Sequence, residues 1–422
     1  MGLEKYKGDM NMCCRCSVCK FIPMQKISGY DYSYVCPSIS RYNFHSYSAG
    51  GRMNIGAAAL ANGTTYTEKL LDIVYNCQMC GACGVSCNYA MDMEVMAPIT
   101  EFRIKCVADG KTHPALDGVI DRLRRTDSMV PVTGKRGDWA AGLQLKNATK
   151  DKVDVLYYVG CLTSYDKQLQ KLARSTAQIL KKSGINFGIA GDAEPSSGGM
   201  AYEMGYERDF LNQAHKTMAL IRDIGVKTVV TSSAEDYQAM KVLYDKFELK
   251  AGLNVFHIAE FIPQLITEGR LTPRNTINLS VTYHDPCHLG RLSEPWVHWD
   301  GKKIPGDRFV FDPPKKYRRG TEGVYEEPRQ VLQSIPGVTL TEMPRTKEYA
   351  WCCGAGGGVS DSNPEFAQWT ARERLEEAES TGAEALVSAC PKCEKTFREA
   401  VEATGSQLKV YDIVELFEQA IK

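Results

Sequence analysis

The chain has 422 residues, 43% of them hydrophobic and 24% charged, enough for roughly two to four globular domains at about 150 residues each. Lysine plus arginine and aspartate plus glutamate number 51 each, so charge gives no reason to expect a nucleic-acid partner. No apolar run approaches the ~20 residues that span a bilayer. The opening MGLEKYKGDM lacks the apolar stretch of a secretory signal, and Tyr6 stands where a myristoylation motif has Ser or Thr. The expectation is a cytoplasmic protein without a direct membrane span, any membrane association being made through partners.

Cysteine is the outlier. Of 16 residues, nine precede residue 90 and five lie in three short motifs after residue 280. In a reducing compartment such clusters hold metals or do redox chemistry. CCRCSVC places Cys13, Cys16 and Cys19 two residues apart, and Cys36-Pro37 follows after sixteen residues. CQMCGACGVSC then places Cys77, Cys80, Cys83 and Cys87 as C-x2-C-x2-C-x3-C. That is the bacterial ferredoxin run, in which three thiolates hold one cubane and the fourth crosses to the other. The crossover assigns Cys13, Cys16, Cys19 and Cys87 to one [4Fe-4S] cluster and Cys77, Cys80, Cys83 and Cys36 to a second. A pair of structural zinc sites competes, although zinc more often takes two C-x2-C pairs across a longer spacer. Two details depart from the pattern: Cys36 lies far from its triplet, and Asn88 follows Cys87 where proline is usual. Cys14 reads as a bystander thiol and Cys106 as a core cysteine. The helical spacing of GGRMNIGAAALANG and YTEKLLDIVYNC predicts a mostly helical two-cluster domain over 1–110.

Residues 111–150 read as a helical connector. Strands and helices then alternate, beginning with VDVLYYVGC, which ends at Cys161 and precedes an amphipathic helix over about 165–183. This predicts a parallel sheet with covering helices. The remainder aligns with itself: GVKTVVTSSAEDY with GAEALVSACPKCE, VFHIAEF with VYDIVEL, and PSSGG with WCCGA. The predicted fold is therefore α+β and multidomain, a helical two-cluster ferredoxin domain followed by two copies of one α/β unit, 151–270 and 277–422.

The copies differ at their cysteines. Copy two has Cys287, Cys352, Cys353, Cys390 and Cys393, where copy one has Cys161, Ser196, Ser197, Ser233 and Asp236. HDPCHLGR, WCCGAGGG and ACPKCEKTF each read as following a strand, so their thiols are expected to converge at the carboxyl edge of a sheet. Five thiolates exceed the four ligands of an ordinary cubane. Three other readings stay open at this point. Cys390 and Cys393 alone resemble a thioredoxin-type dithiol. The glycine run resembles a dinucleotide loop, with Val359 where its last glycine belongs. A structural zinc site is the third.

HDPCHLGR, CCGAGGG and CPKC behind a two-cluster domain closely resemble the cysteine-rich CCG domain family. That family includes the D subunit of heterodisulfide reductase, DsrK-type sulfur-metabolism subunits and electron-transfer subunits of benzoyl-CoA reductase complexes. The resemblance covers nearly the whole chain. It implies a non-cubane [4Fe-4S] cluster on Cys287, Cys352, Cys353, Cys390 and Cys393, as a relay or a catalytic site, beside the two cubanes. In copy one, hydroxyls replace the soft thiolates that iron needs, so no cluster is expected there. Heterodisulfide cleavage by paired clusters is in doubt for the same reason. His284, Asp285 and His288 flank Cys287 and stand as tuning or proton-moving groups, and Gly354 to Gly358 as room for backbone N–H groups beside sulfides.

No flavin or NAD site is visible in the sequence. The reading is an electron-transfer subunit between a flavoprotein or ferredoxin-type partner and a catalytic reductase or dehydrogenase subunit. A disulfide or thiol reductase acting at the single CCG cluster is the alternative, and a zinc-bound scaffold is the third. An insertion over 293–322 has no counterpart in copy one. It offers Trp296 and Trp299 as docking anchors and Lys315, Lys316, Arg318 and Arg319 as a charged patch, or is a solvated surface excursion.

Overall fold

The computed structural model describes residues 2–27, 29–63, 65–304 and 310–421; residues 305–309 of the insertion lie outside them. The described residues among the first 110 form helices and connecting turns, with one isolated antiparallel bridge among them, Phe21 to Tyr34. Helices Ala49–Asn62 and Met96–Ala108 pack against each other, and Ala82–Met91 carries Cys83 and Cys87. Ser48 caps the first of these by accepting the Gly51 N–H at 3.0 Å. Among the described residues no helix is long and apolar enough to cross a membrane.

Five parallel strands follow: β1 (Lys146–Asn147), β2 (Val155–Tyr158), β3 (Phe187–Ile189), β4 (Thr228–Thr231) and β5 (Asn254–His257), in the order β1-β3-β2-β4-β5. The second sheet contains β6 (Leu279–Tyr283), β9 (Val338–Leu340), β10 (Ala385–Ser388) and β11 (Lys409–Asp412), in the order β11-β10-β6-β9 and again all parallel. Between them in sequence, β7 (Lys302–Lys303) and β8 (Phe311–Asp312) pair as a small antiparallel ribbon. Leaving out β1, each sheet has the same order, second-first-third-fourth. The duplication seen in the sequence is thus a duplication of topology. The stretch read as a helical connector is only partly so: it holds helix Pro114–Thr126, but its end forms β1 on the edge of the first sheet, Lys146 opposite Gly188.

β2, β4 and β10 are almost wholly buried runs, as expected of parallel strands covered on both faces. In each copy the first and third strands are neighbours while their connections leave in opposite directions. This creates a switch point at the carboxyl ends, where open α/β sheets bind ligands. Cys161 and Ser233 lie just beyond β2 and β4 in copy one; Cys287 and Cys390 lie just beyond β6 and β10 in copy two.

Candidate functional site

Thirteen cysteines gather in three groups. Cys13, Cys16, Cys19 and Cys87 line one cavity, with Cys14, His45 and Met53. Helix Lys7–Met12 stops at Cys13, and Arg15 and Ser17 take left-handed backbone (φ 59° and 70°), turning the chain so that successive thiols face inward. Burial pushes the Cys87 thiol up, and its sulfur neighbours Cys19, Cys16 and Cys13 push the same way.

Cys36, Cys77, Cys80 and Cys83 line a second cavity with Arg52 and Gln78. Cys36 precedes helix Pro37–Tyr42, and burial pushes its thiol up to about 12 against the pull of the Arg52 guanidinium. The structure therefore brings together the two sets of four that the crossover rule assigns, despite the distance of Cys36 from its triplet. Asn88 directs its amide to the Arg318 carbonyl in place of the usual proline.

The third group is continuous. Cys352 is central, its thiol neighbouring those of Cys287, Cys353 and Cys80. Cys353 neighbours Cys393, which neighbours Cys390. All five copy-two cysteines are buried. A nitrogen of His284 and the sulfurs of Cys353 and Cys393 lie within 4.8 Å of one another. The Gly354 N–H points at the Cys352 sulfur, 3.3 Å away. His288 Nδ1 lies 3.4 Å from the Cys287 sulfur, and its Nε2 lies 2.6 Å from Glu203 Oε1. Burial alone would lower the imidazole pKa, but the Glu203 carboxylate and Cys287 outweigh it and raise it well above the usual value. Asp285 turns elsewhere, to the Arg329 guanidinium at 2.8 and 3.0 Å, so of the three flanking groups only the histidines face sulfur. Sulfur-rich donor sets, two of four cysteines and one of five beside His284, fit thiophilic iron.

Copy one keeps the scaffold with different chemistry. Cys161 accepts from Arg136 at 3.1 Å, Arg136 also reaches Glu194, and the Ser197 hydroxyl donates to Asp236 at 2.5 Å. Cys161, Ser197 and Asp236 border a cavity of about 310 Å³ that also touches Ala355, Pro391 and Lys392.

The glycines have a use that the motif does not disclose. A Cβ on Gly356 would come 2.4 Å from the Gln78 carbonyl, and one on Gly354 (φ +102°) 2.2 Å from that of Ala367. The bare backbone lets the CCG loop lie against the Cys77–Cys80 segment. Arg103, wholly buried, fixes the same junction by donating to the carbonyls of Cys77, Gly357, Val74 and Glu203 at 2.7–3.0 Å. Neither Arg103 nor Glu203 carries a motif, so nothing in the spacing marks them.

The insertion folds back on its own chain. Trp296 packs between Lys246 and Arg318, and Trp299 against Phe311 and Lys315. Arg318 donates to the carbonyls of Leu292 and Glu294, and Arg319 reaches the Asn88 carbonyl and Asp92. Three of the four expected docking cations are thus engaged within the chain.

Residues 155–235 and 281–398 match the cysteine-rich domain family CCG. The chain is 29% identical over 428 residues to the D subunit of a dihydromethanophenazine:CoB–CoM heterodisulfide reductase of Methanosarcina acetivorans, covering 98% of this chain and 94% of that protein. The corresponding D subunit of Methanosarcina barkeri is also 29% identical, with 84% and 79% covered. A probable iron-sulfur-binding oxidoreductase, FadF, of Bacillus subtilis is 28% identical over 89% of this chain; the match spans half of that longer protein.

Proposed function

We propose that this chain, whose residues 155–235 and 281–398 match the cysteine-rich CCG domain family and which is similar to the D subunit of heterodisulfide reductase, is an iron–sulfur protein that carries electrons between partner proteins through three clusters. Two cubanes occupy the four-cysteine sets of a ferredoxin-like domain. A non-cubane [4Fe-4S] cluster occupies Cys287, Cys352, Cys353, Cys390 and Cys393. The observation that carries this reading is the contact of Cys80 with Cys352. A ligand of the second cubane adjoins the five-cysteine group, so the groups form a series open to electron transfer. The partners are a flavoprotein or ferredoxin-type donor and a catalytic reductase or dehydrogenase subunit, in keeping with relatives whose names are those of redox enzymes and their subunits. Anaerobic iron analysis with EPR tests it: about twelve irons and three signals, at four irons per cluster, are expected. About eight irons would remove the CCG cluster.

The cavity beside Lys392 and Ala355 favours a second reading, a reductase acting on a small disulfide or thiol next to the CCG group. Turnover of a small disulfide by the isolated chain with an artificial electron donor would select it.

A further inference from the structure

Arg291 lies one turn beyond Cys287, in the turn where the Leu292 N–H bonds the Cys287 carbonyl. It is 5% exposed, and long cations are seldom so buried without anionic company. Its guanidinium faces two groups of cysteines at once. Nε donates to the Cys80 carbonyl at 2.5 Å, tying the second four-cysteine set to the copy-two domain. Nη1 donates to the carbonyls of Ala350 and Glu348 at 2.7 and 3.1 Å, fixing the segment that leads into Cys352. Nη2, also buried, has no partner among the described residues. A buried donor left without an acceptor is costly, the more so when it is charged, so its acceptor is to be sought in something other than protein.

Its electrostatic surroundings show where that acceptor would lie. Among the described residues no carboxylate forms an ion pair with Arg291; its strongest attractive neighbours are Cys80 and Cys287, followed by Tyr325 and Cys352. These cysteines belong to both groups. Close packing holds the arrangement: a Cβ on Gly81 would come 2.6 Å from Leu292, and one on Gly320 2.9 Å from the Arg291 Cβ.

We propose that Arg291 is a shared positioning and tuning residue for the second four-cysteine set and the CCG group. Its charge, buried between them, stabilises an added electron on either side, and Nη2, unpartnered by protein, serves the clusters that Cys80, Cys287 and Cys352 would hold. The proposal rests on the three-cluster reading. Net charge and hydrogen bonds to sulfur set cluster potentials, and a charge acts strongly where water is excluded.

The test is an anaerobic redox titration of the full chain, followed by EPR, for wild type, Arg291→Met and Arg291→Lys. Arg291→Met is expected to lower the midpoints of the second cubane and the CCG cluster. At a fixed ambient potential each reduced-to-oxidised ratio falls about tenfold, about 59 mV for one electron, while the cubane on Cys13, Cys16, Cys19 and Cys87 stays where it was. Arg291→Lys keeps the charge and is expected to restore most of the shift. Three signals with midpoints unmoved by Arg291→Met overturn the role of Arg291 alone. An equal shift of all three, or a lysine variant as displaced as the methionine, overturns it too. A wild type with two signals and about eight irons, at four per cluster, overturns the three-cluster reading itself. Should Arg291→Met shed iron, power saturation of the wild-type signals still decides whether these two sites adjoin: the second cubane and the CCG signal are expected to relax each other, and their independence overturns the shared placement.

Discussion

Glu203 belongs to the copy without a cysteine set, yet its Oε1 lies 2.6 Å from Nε2 of His288, whose other nitrogen adjoins Cys287. Glu203 Oε2 also accepts the Gly357 N–H at 3.1 Å. Burial alone would raise the carboxyl pKa, but His288 outweighs it and holds the group below its usual value. A serine-bearing copy thus supplies the carboxylate that fixes the orientation and charge of a histidine beside sulfur in the other, much as outer partners orient metal-binding imidazoles elsewhere. Duplication without duplicated chemistry is useful here, because copy one serves as a wall for copy two.

The pair predicts a non-additive response. Removing one partner of a buried pair strands the other and typically costs about 3–5 kcal/mol. Glu203→Gln and His288→Gln are each expected to lower the thermal midpoint of the anaerobic protein, and the double variant to lower it little further than the worse single one. Additive losses in differential scanning fluorimetry would show the two groups to be energetically independent.

The three sulfur groups separate Cys352 from Cys161, although both are cysteines next to sheet edges. Cys352→Ser is expected to remove the third EPR signal and about four irons, sparing the other two signals. Cys161→Ser is expected to leave iron content unchanged, because Cys161 sits with Arg136 and the Asp127 carbonyl, outside all three groups. Iron loss in Cys161→Ser would place a ligand in copy one after all.

Legibility in the sequence followed the range over which the physics acts. Cysteine spacing is local, so both four-cysteine sets could be written down from the crossover pattern. The repeat GVKTVVTSSAEDY/GAEALVSACPKCE reports buried parallel strands, whose apolar runs are equally local. Arg291, Arg103 and Glu203 work across 211, 254 and 85 residues of chain, a range at which spacing carries no information. The glycines mislead for a related reason. Glycine signals close approach without naming what approaches, and in Gly356 the visitor is the Gln78 carbonyl.

That contact gives a graded prediction. Gly356→Ala places a methyl 2.4 Å from the Gln78 oxygen, where the neighbour is backbone and must shift. Overpacking of this kind costs about 1–3 kcal/mol. The expected outcome is a lower thermal midpoint together with weakened magnetic coupling between the second cubane and the CCG signal. Gly118→Ala is the control: it lies within helix Pro114–Thr126 with nothing within 4 Å of the new methyl, so a gain of about 0.5–1 kcal/mol is expected. Equal behaviour of the two variants would show that the glycine run is not a packing device.

Asp236 stands where copy two has Cys393, and it gives the pH prediction. Burial raises its carboxyl above the ordinary 3.8, against the Ser197 and Ser233 hydrogen bonds and the Arg136 and Lys392 charges. The folded chain therefore holds this proton more firmly than the unfolded chain. In the window that opens near 3.8 and ends at the raised folded value, the folded state binds more protons, so stability falls as pH rises and stays lower above it. The amide introduced by Asp236→Asn still offers an oxygen to the Ser197 hydroxyl but cannot ionise. The thermal midpoint of this variant relative to wild type is expected to rise as pH is raised from about 4, near the foot of the window, to about 7, measured anaerobically by scanning fluorimetry. A difference that does not change with pH, or one that favours wild type more strongly at the higher pH, would mean that the copy-one pocket welcomes the carboxylate as an anion.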